Sequence, residues 1–162
     1  MDATDPAVAA RLAAYIWPET PGRLSRVQAA IGMMRERGVR LERADAADWL
    51  EARLAEPQET GVTRVLMHSV VWQYLPEATA ARIRTAMAAA GERATAERPL
   101  GWVSMEPDRA FGHQVIRARS WPGDGEWAVV ATSHAHGAWV STDASQDDPA
   151  SVTLPQSAQI KV

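Results

Sequence analysis

The sequence predicts an α/β domain, the second half of an open sheet in which helices join parallel strands and an antiparallel hairpin finishes the fold. Two observations carry this expectation. A strand, helix, strand unit runs from Val62 to Met105, and the strand-like runs His113 to Trp121 and Glu126 to His134 flank the turn signal PGDG, from Pro122 to Gly125. Parallel neighbours need a long crossover, usually a helix, whereas antiparallel neighbours close through a tight turn.

Each element has its own local reason. Asp5 before Pro6 is an N-cap followed by proline at the first helical position, and Val8, Leu12, Tyr15 and Ile16 then repeat at helical spacing until Pro18. Thr20 and Pro21 repeat that start signal, and Leu24, Val27, Ile31 and Met34 form one apolar stripe, stopped by Gly38. Val39 to Arg43 alternates apolar and charged residues and predicts a short strand. Asp45 or Asp48 can cap a helix bearing Trp49, Leu50 and Leu54. VTRVLMHSVV, Val62 to Val71, opens as a β-branched apolar run, the pattern of a central parallel strand covered on both faces. Pro76 opens a helix with Ala80, Ile83, Met87 and Ala90 on one face, Gly91 closes it, and Leu100 to Met105 is the next strand. Gly137 to Ser141 extends the last strand of the hairpin. One domain over residues 1–141 is expected, followed by a polar, flexible tail over 142–162.

Composition removes several classes of function. The chain has no cysteine, so disulfides, thiolate zinc sites and a cysteine nucleophile are excluded. A net charge of −3 with mixed signs offers no broad basic face, so nucleic acid is not an expected partner. The acidic N-terminus is unlike a signal peptide and no apolar run reaches membrane-spanning length; a cytoplasmic protein with no membrane partner is expected. The only G-x-G, Gly123 to Gly125, sits in a hairpin turn with no helix after it and fails as a dinucleotide loop.

The strings RLAAYIWPETPGRLSR, ERADAADWLEARL, HSVVWQYLP, PLGWVSMEPD, RSWPGDGE and HGAWV resemble successive blocks of a bacterial family, domain of unknown function 2332, over roughly residues 4–141. The resemblance implies the C-terminal half of a Rossmann-like, methyltransferase-type sheet. It implies no particular reaction. The glycine-rich first turn and the acidic residue after the second strand, which hold the cofactor in such domains, are missing. The isolated chain is therefore expected to hold no cofactor, while S-adenosylmethionine is an expectation for a longer parent. The missing strands would leave a sheet edge open, through which a homo-oligomer could form.

Candidate site residues follow from position. Asp45, after the expected Val39 strand, could accept from an adenine amino group, or simply cap its helix. His68 and Ser69 stand at the carboxyl end of the Val62 strand, where open α/β sheets bind ligands, and with Asp45 are the expected cofactor-binding residues. Trp72, Gln73 and Tyr74 on the exit loop, with Glu106 after the next strand, make the pocket for an unknown small-molecule acceptor. A hydrogen-bonded structural histidine, packing aromatics and a solvated carboxylate are the plain alternatives. His134 and His136 form an H-x-H pair without clear further ligands, so no metal is expected. Two functions stand: a fragment of an S-adenosylmethionine-dependent methyltransferase-like domain, or a non-catalytic association module.

Overall fold

A computed structural model describes residues 2–19, 22–39 and 41–142. The chain divides into two compact units, residues 1–44 and 45–162.

The first unit is helical. Helix α1 (Pro6–Ala14) starts on Asp5, whose side chain accepts from the Ala7 N–H at 2.7 Å. Helix α2 (Arg23–Arg37) ends at Gly38, whose φ of 59° is the left-handed conformation that glycine adopts without steric cost. Ile31 is its buried residue, and Leu24, expected on the same stripe, is exposed. The start signal at Thr20 and Pro21 lies outside the described residues.

The strand expected from Val39 to Arg43 is a correction: Val39 and residues 41–45 have no regular structure, and Arg40 lies outside the described residues. Its two apolar residues, Val39 and Leu41, are both exposed, so the alternation has no face to bury.

The second unit contains α3 (Ala46–Ala55), β1 (Arg64–Ser69), a 3-10 turn (Trp72–Tyr74), α4 (Glu77–Gly91), and strands β2 (Leu100–Asp108), β3 (His113–Trp121), β4 (Ala128–Ser133) and β5 (Val140–Ser141). The sheet runs in chain order, β1-β2-β3-β4-β5. The pair β1 and β2, linked through α4, is parallel, and every later pairing is antiparallel. The parallel pair and the hairpin around Pro122 are therefore present. A second hairpin, joining β2 to β3 through a turn in which Asp108 accepts from the Ala110 N–H at 2.8 Å, was not anticipated. Nor does Gly137 to Ser141 prolong β4: Val140 and Ser141 form a separate strand beside it.

A larger correction concerns β1. It is an edge strand among the described residues, not a central one. Arg64, Leu66 and His68 face the helices, while Val65 and Met67 on the other face are 52% and 64% exposed.

The core lies where α3 and α4 meet the sheet. Ala47, Leu50, Ile83 and Met87 pack on Leu100 and Trp102, with Leu54, Leu66, Leu75 and Ala90 around them. Asp45 caps α3, accepting from the N–H groups of Ala47 at 2.9 Å and Asp48 at 3.1 Å. Arg82 of α4 reaches back to Asp48 and Glu51 at 2.7 Å, tying the two helices at their solvent edge. Gly91 is the last residue of α4, and the Trp121 indole lies against it; a Cβ there would come within 2.5 Å of the ring. Polar residues beyond 142, the expected tail, lie outside the described residues.

Candidate functional site

Cross-strand register places the chemistry. On the face toward the helices, His68 stands beside Ser104 and Ser104 beside Arg117, while the next row is Leu66, Trp102 and Arg119. Alternate residues of a strand share one face, so Trp102, Ser104 and Glu106 of β2 all point into the same space. With Trp72, Trp127 and Arg84 they enclose a cavity of about 440 Å³ at the carboxyl end of the parallel pair, within the usual range for small-molecule sites.

At its floor is a histidine–carboxylate pair. His68 Nδ1 lies 2.8 Å from Glu106 Oε1, with side chains 12% and 15% exposed. A carboxylate oxygen only accepts, so Nδ1 carries the proton and donates it. The same Oε1 accepts from the backbone N–H groups of Val71 at 3.1 Å and Trp72 at 3.2 Å. Those two N–H groups are aimed by Val70, whose φ of 49° is left-handed. A β-branched residue rarely adopts that conformation, at a cost of about 1–3 kcal/mol. The Val70 N–H continues the parallel ladder to Met105 O at 2.9 Å, so the chain leaves the sheet abruptly and presents the next two donors to Glu106.

The pair leaves two buried atoms with no hydrogen-bond partner among the described residues, His68 Nε2 and Glu106 Oε2. Buried polar atoms are nearly always satisfied, so orphans in a cavity call for an explanation. Trp72 stacks on the His68 ring at 5.0 Å between centroids and 24° between planes, and Trp102 meets it edge-on at 6.0 Å. The imidazole is thereby held in one orientation by packing as well as by Glu106.

The other wall is cationic and aromatic. The Arg119 guanidinium lies 4.5 Å from the Trp102 ring centroid, 4.8 Å from Trp121 and 4.6 Å from Trp127, and its buried Nε has no hydrogen-bond partner among the described residues. Burial lowers its pKa from the ordinary arginine value, partly opposed by the charge of Glu126. Arg117 is ion-paired to Asp108 at 2.6 Å, and that hydrogen bond, with one from the Ala110 N–H, holds the Asp108 carboxyl below the usual range. Arg84 pairs with Glu77 and lies over Trp72 at 5.8 Å.

Of the residues singled out in the sequence, the fold brings His68, Trp72 and Glu106 together. Gln73 and Tyr74 are exposed on the 3-10 turn, Ser69 is exposed beyond the alternation that turns His68 inward, and Asp45 is the cap of α3. None of these four lines the cavity. Sequence reasoning missed Trp102, Ser104, Trp127 and the three arginines. A signal existed for most of them: W-x-S-x-E and R-x-R at alternate positions of two strands put each set on one face. The ring centroids of His134 and His136 are 5.7 Å apart, with His134 Nδ1 accepting from the His136 N–H at 3.1 Å. Among the described residues no group of three or more metal-ligating side chains is assembled.

Three guanidinium groups, one carboxylate and one imidazole line the cavity. The Asp45 carboxylate, expected to accept from an adenine amino group, is committed to the α3 N-terminus.

Fold and site define a mixed α/β protein with a carboxylate-oriented histidine in a tryptophan- and arginine-lined cavity. Over residues 1–142 the chain matches the family model described as an uncharacterized protein conserved in bacteria, DUF2332, and it belongs to that family. No curated protein and no solved structure matches it. No described helix is long and apolar enough to cross a membrane.

Proposed function

We propose that the cavity is the substrate site of an enzyme that moves a proton, with His68 Nε2 as the general base and Glu106 as the positioning residue. The observation that carries this is the orphaned Nε2 of a histidine whose other nitrogen is held by a carboxylate. In the neutral imidazole with Nδ1 protonated, Nε2 is an acceptor, buried and without a partner among the described residues, on a side chain that lines the cavity. It takes the proton of a bound O–H or N–H, and the imidazolium so formed lies against Glu106. The methyl-transfer version of this reading keeps the same base and makes the chain the acceptor wall, with the cofactor held by residues outside it.

A comparison of the protein with His68→Gln tests this on a bacterial small-molecule extract, with and without added S-adenosylmethionine, followed by mass spectrometry. At least one species should change about 10²–10⁴ times more slowly with the variant. A change that requires S-adenosylmethionine and adds a methyl group supports the methyl-transfer version. No change, or equal change with both proteins, sinks the proposal.

The place of β1 at the sheet edge among the described residues supports a second reading, association of two copies. An unpaired edge presents free N–H and C=O groups, and exposed Val65 and Met67 add apolar area beside it. Sedimentation over a concentration series should show a reversible dimer weakened by Met67→Lys. A monomer at every concentration overturns this reading.

A further inference from the structure

We infer that the cavity takes a planar aromatic acid, its carboxylate on Arg119 and an ionisable O–H or N–H at the far end against His68; this rests on the proton-transfer reading above. Charge decides the first part. Aromatic walls alone would suit a quaternary ammonium as well as a neutral ring. Here the cation place is already filled: the guanidinium of Arg119 occupies the faces of Trp102, Trp121 and Trp127. A second cation would meet it at close range.

Arg119 is also the one arginine of the cavity without a carboxylate in ion-pair contact among the described residues, since Arg84 holds Glu77 and Arg117 holds Asp108. Indole faces stabilise its charge but offer no lone pairs to its N–H donors. A carboxylate supplies them in the paired geometry that the guanidinium fork matches.

Spacing decides the second part. Arg119 and His68 stand two strands apart, about 10 Å across the sheet, with the Trp102 ring in contact with both. Trp102 is only 2% exposed, so a ligand that spans them lies in the cavity against Trp72 and Trp127, and a flat ring fits such walls better than an aliphatic chain.

The test uses 4-hydroxybenzoate on the full chain, followed by the indole N–H signals in NMR titration. Saturable shifts at Trp72 and Trp127 are expected. Arg119→Gln should weaken binding roughly 10- to 100-fold, and Arg119→Lys, which keeps the charge but not the fork, by less. His68→Gln, which removes the acceptor for the ligand's O–H, should weaken binding as well, but by less than Arg119→Gln. Equal affinity in Arg119→Gln, tighter binding of phenyltrimethylammonium, or no binding of the acid overturns the inference. If Arg119→Gln does not fold, the lysine variant and the cation comparison decide it. Failure of the acid to bind, alongside His68-dependent turnover, removes this substrate class and spares the proton-transfer reading. Binding without such turnover does the reverse.

Discussion

Trp102→Ala should lower the stability of the unit formed by residues 45–142 by about 3–5 kcal/mol. Trp102 is 2% exposed and belongs to the apolar cluster under α3 and α4. Its indole also touches His68, Trp72, Trp127 and Arg119, so truncation opens a hole between core and cavity and strips Arg119 of one aromatic face. Neighbouring side chains relax only partly into such a hole, which puts the loss at the upper end for one residue. Guanidinium denaturation followed by far-ultraviolet dichroism reads the change as a lower midpoint with little change in slope. Trp127→Ala, at a position 39% exposed, is the comparison and should cost clearly less. A loss below about 1 kcal/mol for Trp102→Ala would mean that this ring does not join core to cavity.

Glu106→Ala should cost about 3 kcal/mol and release His68. Glu106 Oε1 is the common acceptor of His68 Nδ1 and the Val71 and Trp72 N–H groups. Without it three donors lose their partner at once, while the left-handed Val70 remains. Glu106→Gln retains an acceptor oxygen and should recover much of the loss. Long-range proton–nitrogen spectra of His68 give the decisive readout. The wild type should show Nδ1 protonated and Nε2 bare, and the alanine variant a mixture of both tautomers. Amide exchange at Val71 and Trp72 should quicken in parallel. A wild-type histidine spectrum in Glu106→Ala would remove Glu106 from its positioning role.

Much of the second unit was legible without coordinates. Asp45 caps a helix because a short carboxylate before Ala46 can reach the next N–H groups, and α4 runs from Glu77 to Gly91 between a proline and a glycine. Ala80, Ile83 and Met87 are buried as their spacing predicts. The places of His68, Trp72 and Glu106 at or just after the ends of two neighbouring strands were legible, and those places bring them to the lining of one cavity. These are local signals, in which the partners lie within a few residues along the chain.

The misreadings have a different origin. The apolar run at β1 looked central because Val65 and Met67 suit a covered face, and composition does not say whether a neighbour strand exists. The pattern Val39 to Arg43 looked like a strand because alternation is also what an exposed, irregular segment shows by chance. What the sequence determined by itself is where helices start and stop and which residues share a strand face. Only the tertiary structure decided that β1 is the edge, that Arg119 lies opposite Trp102, and that one carboxylate oxygen gathers three donors from the loop after β1. Those depend on pairing and register between segments far apart in the chain, which local propensity leaves undetermined.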